Sequence, residues 1–151
     1  MTDTDITVDF VKLTSEVLDL QTVVNIVKDN GAGAISTFSG TTRDTYRVDK
    51  KVVKLDYEAY IPMAEKVLFS IISEARSKWE LKKIAVYHRL ETVPVGENSV
   101  IIAVSSVHRK ESLQAVEWLI NQLKEKAPIW KKEIYSDGSV WKENRENRVC
   151  C

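Results

Sequence analysis

Apolar and polar residues alternate at the start of the chain and then change to a helical spacing. The alternation predicts a half-buried strand over residues 6–13. The apolar residues that follow recur at helical intervals and stop before Gly31, which predicts an amphipathic helix over residues 19–30. A short strand over 33–39 comes next, and we expect the polar and charged stretch 44–51 to form a mobile loop.

The same change of spacing recurs along the rest of the chain. The further predicted elements are a strand over 53–59, a helix over 62–79, strands over 83–90 and 98–107, a helix over 110–126, and strands over 129–135 and 139–143. Pro62 suits the first turn of its helix, because an N–H at that position would have no acceptor within the helix. Pro128 ends the later helix. Because paired strands lie between the helices, we expect an α+β fold rather than a doubly wound parallel sheet. The sheet should be mostly antiparallel, with its helices packed on one side.

The composition is that of an ordinary globular protein. The 151 residues are 44% hydrophobic and 29% charged, enough for one core without disulfide or metal staples. We expect a single domain over 1–151, with frayed tails at 1–5 and 144–151. The 22 Lys and Arg residues balance 22 Asp and Glu residues, which argues against a protein that mainly coats nucleic acid or an anionic membrane. Any site for an anion must therefore be local.

Neither a membrane span nor a metal site is predicted. The longest apolar runs are far shorter than the roughly 20 residues that cross a bilayer. Acidic residues near the amino terminus do not fit a signal or transit peptide, so we expect a cytoplasmic protein of the cytosol. Cys150 and Cys151 are adjacent and cannot brace a core, and no group of Cys and His has the spacing of a zinc site. We therefore expect no bound metal.

Two polar turns could hold an anion. In the first, a glycine and two threonines precede Arg43, so backbone N–H groups and a guanidinium could cradle an oxyanion. In the second, His108 and Arg109 stand at the start of a predicted helix, whose dipole favours phosphate. An ordinary solvated turn is the simpler interpretation of each segment. A hydrolase that uses Ser106 and His108 is a further interpretation, although no G-x-S-x-G elbow accompanies the pair.

A third cluster covers residues 124–133, around the end of the last long helix. Lysines such as Lys124 are favoured in the last turn of any helix by its dipole. Lys131 lies beyond the proline in a partly apolar strand, and an amine that is desolvated among other cations gives up its proton more readily. That is the condition for proton transfer or nucleophilic amine chemistry. Glu133, two positions along the strand, would share the face of Lys131 and could orient it.

Five separated motifs together carry more information than any of these clusters alone. In chain order they are FSGTTR at 38–43, YEAYIPMA at 57–64, AVYHR at 85–89, SSVHR at 105–109 and LKEKAPIWKKE at 123–133. This set resembles the large, catalytic subunit of molybdopterin synthase. The resemblance implies an α/β hammerhead fold and a sulfurtransferase of molybdenum cofactor biosynthesis. Two sulfurs would pass to cyclic pyranopterin monophosphate, which forms the dithiolene of molybdopterin.

The resemblance also implies the partners. Each protomer would bind one small ubiquitin-like sulfur-carrier subunit, whose C-terminal Gly-Gly carries a thiocarboxylate and enters a pocket of the large subunit. Two copies of this chain would form a homodimer, and with two carriers a heterotetramer. Because the sulfur arrives on the carrier, the reaction implied by the resemblance needs neither a metal nor an organic cofactor.

The resemblance assigns roles to individual residues. Lys131 would be the catalytic residue nearest the thiocarboxylate, as general acid or transient amine partner, and Lys124 would assist it. The positions that would bind substrate are Phe38, Thr41, Thr42, Arg43, His108, Arg109, Lys132 and Glu133. Residues of both protomers would line this pocket, where cations compensate two anionic reactants. The alternative is a non-catalytic α+β module that uses the same basic pocket to dock the C-terminal tail of another protein.

Overall fold

The computed structural model describes residues 7–47 and 50–143. The tails expected to fray, with Cys150 and Cys151, lie outside the described residues, as do positions 48 and 49 of the expected loop. Within the described part the elements are β1 (Asp9–Thr14), α1 (Leu20–Val27), β2 (Ala34–Thr41), β3 (Thr45–Arg47), β4 (Lys50–Ala59), α2 (Ile61–Lys78), β5 (Ile84–Arg89), β6 (Glu91–Pro94), β7 (Asn98–Ser106), α3 (Arg109–Lys126), β8 (Ile129–Tyr135) and β9 (Val140–Glu143).

The strands form two sheets. The first has the order β1-β5-β7-β2 and is antiparallel except where β1 and β5 run parallel. The second has the order β3-β4-β8-β9, with β6 also paired to β4, and its strand pairs are antiparallel. The expected α+β class with mostly antiparallel strands is confirmed, with two sheets in place of one.

The helices lie on both faces of the first sheet, so the expectation that they pack on one side is wrong for α1. The apolar residues of α2 and α3 share a core with Ile102 on one face. Val23 and Val27 of α1 pack with Ile101 on the other. Successive residues of a strand point to opposite faces, so a central strand covered on both sides is apolar without interruption. Residues 100–104 of β7 form such a run and are all buried.

Two short strands occur where the sequence pattern predicts none. β3 lies in the expected loop 44–51 and pairs antiparallel with the start of β4, so residues 45–47 and 50–51 are strand and not loop. β6 begins at Glu91, whose φ of 66° turns the chain from the first sheet towards the second. Short strands with few buried residues show no clear period of two, which is why the pattern misses them.

α1 is shorter than predicted at its carboxyl end. Its start is capped by Asp19, whose carboxylate accepts a hydrogen bond from the Thr22 amide at 2.9 Å, and this contact lowers the pKa of Asp19. The helix stops at Val27. Shortly beyond it, the Asp29 carboxylate accepts a hydrogen bond from the Gly31 amide at 2.8 Å, which favours a turn over further helix. The other predicted elements are confirmed with small shifts of their ends.

Candidate active site

Five of the predicted site residues fall into two groups at opposite ends of the first sheet. β2 and β7 run antiparallel, so Thr41 at the end of β2 lies beside the first residue of β7. His108 follows the other end of β7, a strand of nine residues that spans about 26 Å. We call these places the Arg43 end, which holds residues 41–43, and the His108 end, which holds residues 106–109.

At the Arg43 end, the backbone is tied to the connection between β6 and β7. The Thr42 amide donates to the Glu97 carbonyl at 3.1 Å, and the Thr42 carbonyl accepts from the Gly96 amide at 2.8 Å. Gly96 has a φ of 88°, a conformation that glycine adopts without strain. Thr42 is buried against this connection, while Thr41 and Arg43 are exposed. The Arg43 side chain is therefore presented from a fixed backbone.

A buried cation lies behind this turn. Arg89, the last residue of β5, is 8% exposed, and its Nη1 lies 2.6 Å from Glu97 Oε1. Because the backbone of Glu97 also bonds Thr42, the ion pair connects β5 with the Arg43 turn. The sequence pattern does not point to Arg89, since a His-Arg pair inside a strand is uninformative alone. Its ion-pair partner, Glu97, lies in a loop eight residues further along the chain.

His88 and Tyr57 link the Arg43 end to the second sheet. His88 is 1% exposed and meets the Tyr57 ring edge-on, with centroids 5.0 Å apart. Its Nδ1 lies 2.8 Å from the Arg89 carbonyl oxygen, and because a carbonyl only accepts, Nδ1 carries the proton of this hydrogen bond. Tyr57 is directly opposite Lys131 in the pairing of β4 with β8. Buried polar and aromatic side chains therefore connect Arg89 with the neighbourhood of Lys131.

Lys131 and Glu133 share the inward face of β8, as the sequence predicts. Ile129, Glu133 and Tyr135 are buried on this face, and Lys131 lies between the first two and is partly buried. Glu133 is 4% exposed, and its Oε1 accepts a hydrogen bond from the Tyr135 hydroxyl at 2.5 Å. The strand thus holds an amine next to a carboxylate whose position is fixed by a buried phenol.

Three other predicted residues take different positions. Phe38 is half-buried and packs against the core that α2 and α3 cover. Lys132 lies on the outward face of β8, opposite Asp56, so the structure does not bring it to Lys131. Lys124 lies in the last turn of α3. Since α3 runs back along β2 and β7 from the His108 end, this last turn is directed towards the Arg43 end.

At the His108 end, buried groups hold the backbone while the cationic side chains are exposed. Ser106 is 0% exposed, and its hydroxyl donates to the His108 carbonyl at 2.5 Å. His108 is the N-cap of α3, yet its side chain makes no capping bond to the described residues. His108 and Arg109 are both exposed. Because the Ser106 hydroxyl is buried and engaged, a hydrolase that uses it as nucleophile does not fit this structure.

The two groups of cations do not meet within one chain. α3 has 18 residues, so Arg109 at its start and Lys124 near its end are about 22 Å apart. β7 keeps Arg43 and His108 apart by a similar distance. A small molecule therefore contacts one group or the other in a single copy of the chain, and each end is only part of the predicted pocket.

Residues 7–47 and 50–143 contain neither a metal-ligating cluster nor a membrane-spanning helix. No three or more His, Cys, Asp or Glu side chains are grouped there so that they could hold a metal ion. None of the helices in the same residues has the length and apolar character needed to cross a membrane.

The chain matches a known family over most of its length. Residues 13–126 match the family model described as MoaE protein. The chain belongs to the MoaE family. It is 56% identical to the molybdopterin synthase catalytic subunit of Arabidopsis thaliana, over 85% of this chain and 65% of that protein. It therefore spans slightly less than two thirds of that relative's length.

Solved structures agree with this membership. The crystal structure of molybdopterin synthase from Staphylococcus aureus has a TM-score of 0.82 at 36% identity, and the match covers 87% of this chain and 94% of that chain. A protein–protein complex of subunits 1 and 2 of molybdopterin-converting factor from Helicobacter pylori has a TM-score of 0.69 at 21% identity, with 87% of each chain covered, and shares the fold. The five sequence motifs thus identified the right family, that of the catalytic subunits of molybdopterin synthase, an enzyme of molybdenum cofactor biosynthesis.

Proposed function

We propose that this chain is the catalytic subunit of a molybdopterin synthase of the cytosol. It transfers two sulfurs, one from each of two thiocarboxylated C-termini of a small ubiquitin-like carrier, to cyclic pyranopterin monophosphate, which becomes the dithiolene of molybdopterin. Each transfer leaves the carrier with an ordinary carboxylate. The observation that carries this proposal is Lys131, an amine on the inward face of β8 beside the buried Glu133. Membership of the MoaE family supports the type of reaction.

Lys131 is well placed to act on an anionic acyl group. It lies opposite Tyr57 and between Ile129 and Glu133, so its amine is partly withdrawn from water. Electrostatic stabilisation of a developing oxyanion is stronger in such surroundings than in bulk water. We therefore assign Lys131 as the general acid or transient amine partner nearest the thiocarboxylate, with Lys124 assisting through its charge.

The Arg43 end supplies further groups that suit a phosphate or a carboxylate. Arg43 can bind either anion with two parallel N–H bonds. Two buried atoms, Thr42 Oγ1 and Arg89 Nε, make no hydrogen bond to the described residues. Buried polar atoms normally make at least one hydrogen bond, so these two atoms can each bond a water molecule or a substrate atom.

A second copy of the chain completes the proposed pocket. Within one chain, His108 and Arg109 lie about 22 Å from Lys124, too far for one pterin to contact both groups. A homodimer removes this separation if the His108 end of one protomer faces the Arg43 end of its partner. In Helicobacter pylori, two different subunits of molybdopterin-converting factor form a complex. We propose a small carrier as the corresponding partner here, which gives a heterotetramer.

Reconstitution tests the proposed function. The full chain is mixed with cyclic pyranopterin monophosphate and a carrier whose thiocarboxylate has been verified by mass, and the dithiolene product is measured. We expect product with this carrier and none with the same carrier ending in an ordinary carboxylate. If the folded protein forms no product with the thiocarboxylated carrier, the proposed function is wrong.

A further inference from the structure

Two buried serines hold the backbone of the two cationic residues at the His108 end. The Ser106 hydroxyl donates to the His108 carbonyl at 2.5 Å and accepts from the Ser112 amide at 3.2 Å. The Ser112 hydroxyl donates to the Arg109 carbonyl at 3.3 Å. The carbonyls of His108 and Arg109 therefore each accept a hydrogen bond from a serine side chain.

Ser36 of β2 extends this network into the sheet. Its Oγ lies 2.7 Å from Ser112 Oγ. Because the Ser112 proton is used on the Arg109 carbonyl, Ser36 is the donor in this contact. Each of the three hydroxyls then donates one hydrogen bond. All three serines are buried, and buried networks whose members are all satisfied are rigid.

The strand side of the same turn is fixed by a glycine. The Gly33 amide donates to the carbonyls of Ser106 and Val107 at 3.0 and 3.1 Å. A Cβ at position 33 would lie 2.5 Å from the Val107 carbonyl oxygen, so glycine alone permits this approach. The backbone of residues 106–109 is therefore held from beneath, while the side chains of His108 and Arg109 extend outwards.

We propose that Ser106 and Ser112 are positioning residues, which fix the direction in which His108 and Arg109 reach the substrate. An N-cap residue usually bonds the first helical amides with its own side chain. Here the Ser106 hydroxyl accepts the hydrogen bond from a first-turn amide, that of Ser112. The imidazole of His108 therefore stays available for substrate. Both serines are fully buried and do not touch substrate themselves. This inference rests on the proposed function, because it requires that these cations bind substrate.

The test compares Ser106→Ala with Ser105→Ala in the reconstituted reaction. Ser105 is also 0% exposed, and its hydroxyl accepts from the Lys83 amide at 3.1 Å, away from the turn. We expect Ser106→Ala to raise the KM for cyclic pyranopterin monophosphate about tenfold, with kcat changed by less than about twofold. Ser105→Ala should leave KM unchanged. Equal changes of KM in the two variants would overturn the inference, because a general loss of stability would then account for both.

A double-mutant comparison separates this inference from the proposed function. In a His108→Ala/Arg109→Ala background, Ser106→Ala should raise KM no further, because the side chains that it positions are gone. If the double variant raises KM but Ser106→Ala alone does not, the inference is wrong and the substrate role of the turn stands. If the double variant has an unchanged KM, the substrate role fails and the inference falls with it. Reconstitution without any product overturns the proposed function itself.

Ser112→Ala provides the same test if Ser106→Ala does not fold. Amide hydrogen exchange at residues 109–112 gives a readout that does not depend on activity. We expect faster exchange there in Ser112→Ala and Ser106→Ala than in Ser105→Ala, because the first turn of α3 loses a bond in the first two only. Unchanged exchange in both would contradict the positioning role.

Discussion

The two ends of the first sheet hold exposed cations on different supports. Behind Arg43 lies an ion pair between the buried guanidinium of Arg89 and the partly exposed carboxylate of Glu97. Behind His108 lie neutral serine hydroxyls. Removing the carboxylate partner of Arg89 leaves a buried charge uncompensated, whereas removing a neutral hydroxyl costs the free energy of about one ordinary hydrogen bond. The ends should therefore respond differently to mutation.

The difference follows from what each support connects. At the His108 end, the hydrogen bonds join residues of one strand-to-helix turn to each other and to Gly33 and Ser36 of the adjacent β2 region. At the Arg43 end, the contacts join both sheets, through the edge-on contact of Tyr57 with His88 and the ion pair of Arg89. A local turn can be fixed by short hydroxyl contacts. Two sheets need larger side chains that bridge them.

The largest expected effect is the loss of turnover when Lys131 is removed. Lys131→Ala should lower kcat by about a hundredfold to a thousandfold, because the proposed acid is lost, while the Kd for the carrier changes little. Lys54→Ala is the matched control, since Lys54 lies on the outward face of the adjacent strand β4. Steady-state kinetics and calorimetry measure the two quantities. Weaker carrier binding with undiminished turnover would show that Lys131 binds the carrier and is not the catalytic residue.

The next effect tests the contrast between the two supports directly. Glu97→Gln should lower the free energy of unfolding by about 2 kcal/mol, because the buried guanidinium of Arg89 loses the carboxylate that compensates its charge. Ser106→Ala should lower it by about 1 kcal/mol, because the support at the His108 end loses only a neutral hydroxyl. Urea denaturation measures both. Equal losses would show that the supports do not differ as described.

A smaller gain of stability is expected at the corner between the sheets. Glu91 is exposed and has a φ of 66°, which strains any residue with a Cβ. Glu91→Gly should raise the free energy of unfolding by about 1 kcal/mol. Thermal and urea denaturation check this value. Glu91→Ala, which keeps the Cβ, should give no such gain, and an equal gain there would exclude backbone strain as the cause.

The smallest effect concerns the hairpin of β8 and β9, which belongs to neither end. The hydroxyl and the amide of Ser139, and then Lys50, lower the pKa of Asp137 from 3.8 to about 2. Its contribution to stability is therefore present above pH 3.8 and is lost as the pH falls towards about 2. Urea titrations across this window should show a steeper loss for the natural chain than for Asp137→Asn. Parallel curves would contradict the assignment.

Local periodicity accounts for what the sequence could predict. The shared face of Lys131 and Glu133 follows from the alternation within one strand, and the long helices follow from their apolar spacing. The separation of Arg43 from His108 depends on the pairing of β2 with β7, which no local pattern encodes. Arg89 escapes prediction for the same reason, because its role depends on contacts formed only in the folded chain.

Mixed dimers test the central claim most directly, that one pocket takes Lys131 from one protomer and His108 with Arg109 from its partner. Lys131→Ala and His108→Ala/Arg109→Ala chains, each nearly inactive at low substrate, are combined, allowed to exchange subunits and assayed. We predict recovery of about one quarter of the natural activity, because half of the dimers are mixed and each mixed dimer has one intact pocket. If mixed dimers form and no activity returns, the pocket lies within a single chain and the account is wrong.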